Sequence, residues 1–258
     1  LNDMVVDINT CLSKLICGYN FDQNNKIDLI LGHLSDSIEK IIIEISELPS
    51  KEDEKLTLYG PYLGRSLMEL CLTALLARLD PFRILVMKGK QTQPGYELKK
   101  PHVSAIRWQG DVVDDAVNDL WAEKALKNPS RAILGPYQVK LVLVDSAQRI
   151  LDEGNEQEIG EWYSELIKTD ATGLVEKIKS KINNLYSSLS KGIHHELLVP
   201  IESILDRDTV LNFLNEVLFV ISTLGLIVSL VPHAYHKCSE SESFEYYKKA
   251  KELEVEVI

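Results

Sequence analysis

The sequence predicts an all-α protein, and three observations carry that expectation. Apolar residues recur at the three-and-four spacing of a helix face along most of the chain. The 13 glycines and 9 prolines fall mostly between those runs, where helices stop. The run from Val217 to Val231 carries no charge and is bracketed by Asn215, Glu216 and Pro232. A bilayer-spanning helix needs about 20 apolar residues, so this shorter run reads as a helix buried on all sides of a bundle.

In chain order, Ile27, Ile30, Leu31, Leu34, Ile38, Ile41, Ile42 and Ile45 form one buried stripe, and Pro49 ends it. Leu63, Leu67, Leu70, Cys71, Ala74 and Leu75 repeat the pattern in a helix over 62–79, which stops before Asp80-Pro81. Residues 84–110 lack a helical period and hold Gly89, Pro94, Gly95, Pro101 and Gly110, which predicts a long irregular excursion or a small hairpin. Further stripes occupy 113–127, 137–152, 171–198 and 209–235, with Asp208-Thr209 reading as the N-cap of the last. Leu253-Glu-Val-Glu-Val-Ile258 alternates with period two, as a half-exposed strand does. It has no partner in an all-α fold, so it is either disordered or adds to a sheet in another chain. The expected organisation is a set of N-terminal helices with a basic loop (1–112), packing on a helical bundle (113–238), then an acidic tail (239–258).

A chain of 258 residues buries a substantial core. Its formal net charge of -11 pushes polyanions away from the molecule as a whole, so any phosphate contact has to be local. Cys11, Cys17, Cys71 and Cys238 show no metal-ligand spacing and read as reduced, buried thiols. Asp3 and Asp7 interrupt the first apolar run, so no secretory signal is expected, and the chain is placed in the cytoplasm with no membrane partner. No phosphate-binding loop, dinucleotide fingerprint, nucleophile elbow or His-Glu-x-x-His occurs, and no cofactor is expected. His233, His236 and Cys238 are metal-ligand types, but three local ligands fall short of a closed zinc site, and no metal is expected.

The densest chemistry lies in Tyr186-Ser-Ser-Leu-Ser-Lys-Gly-Ile-His-His-Glu196. On a continuous helix, Lys191 shares a face with His194 and His195, at i+3 and i+4. Leu185, Leu189, Ile193 and Leu197 then face the core, while Ser187, Ser190 and His194 line an adjacent edge. Gly192 costs about 1 kcal/mol relative to Ala inside a helix, so it marks a kink or a close approach. A neutral imidazole can take the proton of a 2′-hydroxyl while a cation stabilises charge on the phosphoryl oxygens. An exposed polar helix edge with a satisfied histidine pair beside Glu196 is the plainer alternative.

On these residues the chain, over about 137–235, resembles the HEPN superfamily. The resemblance implies an all-α bundle of the kind found in prokaryotic toxins, abortive-infection proteins and CRISPR-associated ribonucleases. It also implies a homodimer in which two motifs form one metal-independent endoribonuclease site. The superfamily signature is an arginine followed four to six residues later by a histidine. Here no arginine stands in that place. Lys191 is the local cation, closer to the histidines than the signature has it, and Ser190 precedes His194 by four residues. The resemblance would make His194 or His195 the base and Lys191 the phosphate-stabilising cation, with Ser190 and Glu196 orienting them.

Two other places bear on this. Arg65 and Glu69, four apart, read first as a plain ion pair. If the halves of the chain pack with their helices adjacent, Arg65 instead supplies the missing cation. Residues 78–107 carry Arg78, Arg83, Lys88, Lys90, Lys99, Lys100 and Arg107 against Asp80 and Glu97, with Tyr96, His102 and Trp108 among or beside them. That pattern suits either a phosphate- or nucleic-acid-contacting loop or a solvated one. Two functions follow. One is an RNA-targeting protein of toxin or antiphage-defence type, cutting or only binding RNA. The other is a non-catalytic helical subunit that assembles with a partner protein.

Overall fold

The computed structural model describes residues 7–92, 133–135, 142–193, 205–235 and 238–256. Among them the chain is helical and contains no strand, as the sequence predicts. Asp7 caps α1 (Ile8–Cys17) by accepting from the Asn9 amide at 3.1 Å, and Asn25 caps α2 (Lys26–Glu47) through the Ile27 amide at 2.9 Å. The predicted stripe of α2 is buried at Ile27, Leu31, Ile38, Ile42 and Ile45, with Ile30, Leu34 and Ile41 along its margin. Pro49 sits in the 3₁₀ turn Leu48–Ser50 that follows.

Helix α3 (Asp53–Leu79) is the axis of the molecule and packs against α2, α8 and α9. It starts well before the expected position because Gly60, Pro61 and Gly64 interrupt the apolar period. Those small or ring-closed residues let α9 press in: a Cβ on Gly60 would lie 2.3 Å from the Val210 side chain, and one on Gly64 3.0 Å from Leu214. The buried face of its first turns is Leu56, Thr57, Gly60, Pro61 and Gly64, with Leu58, Tyr59 and Tyr62 exposed, so no apolar stripe marks those turns in the sequence.

Helix α4 (Pro81–Gln91) corrects the expectation of an irregular excursion starting at 84. Pro81 suits the first helical turn. Asp80 accepts from the Arg83 amide at 3.0 Å, and Ile84 is buried with Leu85 and Met87 beside it. The rest of that stretch, 93–110, and the predicted helix at 113–127 lie outside the described residues.

After α5 (Val144–Glu153) come two single turns, α6 (Glu156–Ile159) and α7 (Tyr163–Leu166). Helix α8 (Ala171–Ile193) buries Leu174, Ile178, Ile182, Leu185 and Leu189. Helix α9 (Arg207–Ser229) is capped by Asp206, which accepts from Thr209 at 2.8 Å, two residues before the predicted Asp208. By length and composition α9 could cross a membrane, yet 72% of its most apolar window is buried within the bundle.

Residues 239–250 are no tail. Ser239 and Glu242 form a capping box at the start of α10 (Glu240–Ala250), which packs on α1 and α9. The Tyr247 hydroxyl lies 3.0 Å from that of Thr223 inside the core. Residues 254–256, expected to be disordered or added to another chain's sheet, instead lie against α9, where Val255 pairs with Asn215. All four cysteines are buried free thiols. One continuous apolar core joins the described helices from α1 to α10.

Candidate functional site

The seam between α3 and α8 brings together four polar side chains from two i,i+4 pairs. Arg65 and Glu69 share one face of α3, and Tyr186 and Ser190 share one face of α8. Arg65 Nε donates to Glu69 Oε1 at 2.8 Å, Nη1 donates to Ser190 Oγ at 3.0 Å, and Nη2 donates to the Tyr186 hydroxyl. The guanidinium carbon also lies 4.3 Å from the Tyr186 ring centroid, in the range of a cation–π contact. Ser190 spends its proton on the Tyr186 carbonyl at 2.6 Å, which leaves its oxygen lone pairs to the arginine.

Two features hold the seam tight. Gly192 is the close approach its position suggested: a Cβ there would meet Pro61 at 2.6 Å and Leu205 at 2.8 Å. Leu185 and Leu189 anchor the same helix in the core, while Ser187 faces solvent. Arg65 is 16% exposed and Glu69 28%, so the pair sits at the edge of the core. Burial raises the Glu69 carboxyl above the ordinary glutamate range, and the Arg65 hydrogen bond and charge pull it back.

Of the residues singled out in the sequence, the structure brings Arg65 to Ser190. The plain ion pair with Glu69 and the contact with α8 are both present, made by different nitrogens of one guanidinium. Lys191 is exposed and takes no part in the network. His194, His195 and Glu196 lie outside the described residues, just beyond the last turn of α8.

The described members of the basic set do not form one patch. Arg83 is 2% exposed and paired with Asp80 at 2.9 Å, so it is not a cation open to a polyanion. The reason is local: Asp80 caps α4 and holds the guanidinium three residues on as well. Lys88 is exposed on α4, and Lys90 follows on the same helix. Lys99, Lys100 and Arg107 lie outside the described residues. Arg65 itself stands 14 residues before the end of α3, roughly 21 Å along the axis from where α4 begins.

The sequence reading gave Tyr186 no role, though its i,i+4 relation to Ser190 matches that of Arg65 to Glu69. Upstream on α3, Leu58, Tyr59 and Tyr62 are exposed at 42%, 53% and 58%. Tyr62 precedes Arg65 by three residues, so an aromatic stripe leads along α3 toward the arginine.

Among the described residues no group of three His, Cys, Asp or Glu side chains is placed to hold a metal ion. No family model, no curated protein and no solved structure matches the chain.

The arrangement binds better than it reacts. A guanidinium at a helix seam can exchange a carboxylate for a phosphate oxygen, since both fit its planar fork. Cleavage of a phosphodiester needs a base as well, and of the four described side chains only the Glu69 carboxylate could act as one, where it is already paired with Arg65.

Proposed function

We propose that the chain is a HEPN-like RNA-targeting protein of toxin or antiphage-defence type, working in the cytoplasm as a homodimer. Arg65 is taken as the cation that the 186–196 motif lacks. One observation carries the reading: the Arg65 guanidinium donates to Tyr186 and Ser190, 121 and 125 residues away in sequence, on the helix that precedes His194 and His195 in the chain. In this reading a neutral imidazole takes the 2′-hydroxyl proton, and Arg65 stabilises the charge that builds on the phosphoryl oxygens. Lys191, Ser190 and Glu196 keep supporting roles, while Lys88, Lys90, Lys99, Lys100 and Arg107 are candidates for contacting the RNA backbone.

Purified protein should cut single-stranded RNA, and a chelator should leave the rate unchanged because imidazole and guanidinium fill both roles. Arg65→Ala should lower that rate by about a hundred-fold or more, the usual loss for one transition-state donor. His194→Ala or His195→Ala should abolish it. Intact RNA after incubation with folded wild-type protein would end the nuclease reading, and an absence of RNA binding would end the RNA reading altogether.

A second reading, the non-catalytic assembly subunit, has its own support. Glu69 neutralises Arg65 where it stands, and the chain as a whole carries -11. The exposed Leu58, Tyr59 and Tyr62 beside that pair are of the types that anchor protein interfaces, tyrosine above all.

A further inference from the structure

Asn215 stands in the middle of α9, where asparagine is a poor helix former. Its carboxamide reads one residue of main chain from both sides. Oδ1 accepts from the Val255 amide at 2.8 Å, and Nδ2 donates to the Val255 carbonyl at 2.8 Å. An edge strand offers a bound peptide the same donor and acceptor pair, so the recognition is of backbone rather than of one side chain.

The flanking positions are read as well. Val255 is buried, and Trp162 Nε1 donates to the Glu254 carboxylate at 3.0 Å. Trp162 is fixed edge-on to Phe219, with centroids 5.4 Å apart. From Glu254 the groove continues as a cavity of about 450 Å³ lined by Trp162, Phe213 and Phe219, by Lys177 and Lys181, and by the carboxylates of Glu165 and Glu216. The two lysines pair with Glu165 at 3.6 Å and Glu216 at 2.7 Å. Those acidic partners are 42% and 46% exposed, so the pairs are weak and exchangeable.

We propose that this groove between α7, α8 and α9 is a docking site for an extended peptide with carboxylate–aliphatic–carboxylate alternation, carried by a partner protein. The chain's own Glu254-Val255-Glu256 occupies the seat in cis and displays the chemistry that fits it: backbone on Asn215, a carboxylate on the Trp162 N–H, an aliphatic side chain beneath. The cavity beyond Glu254, with its aromatic lining and two lysines each paired to an exchangeable carboxylate, has room for more of the same pattern. The inference stands apart from the RNA reading, since the groove shares no residue with the α3–α8 seam.

The test uses a fluorescein-labelled peptide of sequence Leu-Glu-Val-Glu-Val-Ile and follows its anisotropy with intact protein. The tethered strand competes at an effective concentration in the millimolar range, so binding to the wild type is weak. Val255→Asp puts a charge in the apolar seat and expels that strand, which should tighten peptide binding by about ten-fold or more. Val255→Gly, which removes the side chain without adding charge, should act in the same direction and serves if the aspartate variant fails to fold. Adding Asn215→Ala to either variant should erase the binding. An unchanged affinity in a folded Val255 variant, or binding that survives the loss of Asn215, would make the strand a permanent brace and overturn the proposal. A concentration-dependent dimer of the wild type that Asn215→Ala dissolves would assign the seat to strand exchange between copies, which also overturns it.

Discussion

Helix α3 carries two sunken arginines about 20 Å apart along its axis, Arg65 and Arg78, and they are held in opposite ways. Arg78 is 0% exposed and spends its donors on fixed acceptors: the Leu15 carbonyl at 2.8 Å, that of Ile16 at 3.1 Å and that of Tyr235 at 3.0 Å. The first two belong to the last turn of α1, whose negative dipole end a buried cation complements. Burial nonetheless lowers the Arg78 pKa to about 10. The partners of Arg65 are side chains, Glu69, Ser190 and the buried Tyr186, and of these the partly exposed Glu69 can rotate away. Backbone acceptors cannot exchange for a ligand and side-chain acceptors can. Arg78 therefore ties α1, α3 and the turn after α9 together, while Arg65 is the one placed to trade a partner.

The contrast is sharpest in stability. Arg78→Met strands several buried carbonyls, at roughly 1–3 kcal/mol each, and should cost about 3–5 kcal/mol in all. That is a large share of the 5–15 kcal/mol typical of a domain, readable as a fall in the urea midpoint. Arg65→Met leaves behind Glu69 and Ser190, which are only partly buried, and one buried hydroxyl, that of Tyr186, and should cost about 1–2 kcal/mol. Equal losses from the two substitutions would erase the distinction.

Much of this architecture could be read from the chain. The stripes of α2 and α8 are long, clean and one-sided, and the uncharged run of α9 is buried on all sides, so pattern alone located all three. Helix α3 hid its first turns because Gly60, Pro61 and Gly64 serve contacts with α8 and α9, and tertiary packing overrode local pattern there. Helix α4 was missed because its glycine and lysines dilute a short apolar face, yet Asp80-Pro81 is a start signal as much as a stop. The charges of α10 suggested a tail, although Ser239 and Glu242 spell a capping box and Phe244, Tyr246, Tyr247 and Ala250 supply an apolar face. At the site, the Arg65–Glu69 pair and the 186–196 stretch were legible separately. Their union was not, because a contact across 121 residues leaves no local periodicity.

Gly192→Ala tests how much of the network depends on that union. The added methyl meets Pro61 and Leu205 at less than contact distance, and both are stiff or well packed. The seam should part by a few tenths of an ångström at a cost of about 1–3 kcal/mol. Because Ser190 lies two residues away, Arg65 should lose its hold on α8 while keeping Glu69 within α3. RNA cleavage falling further than the stability loss explains would tie function to the seam, whereas unchanged cleavage would detach it.

The smallest effect concerns Glu69. Its carboxyl sits above the ordinary glutamate range, first through burial and against the pull of Arg65. The folded chain therefore holds this proton more tightly than the unfolded chain does. Glu69 favours the fold most below its unfolded pKa, and that contribution disappears as pH rises through the folded value. Protonation also removes the counter-charge from Arg65, which frees a nitrogen for an anion. Sulfate, a dianion throughout the window, should bind up to about five-fold more tightly as pH falls through it, the worth of one half-exposed pair. The comparison that decides is Glu69→Gln. That variant should bind sulfate at neutral pH as the wild type does in acid and lose the component of the pH dependence that lies in the glutamate range. A slope that persists unchanged in Glu69→Gln would move the anion site away from Arg65.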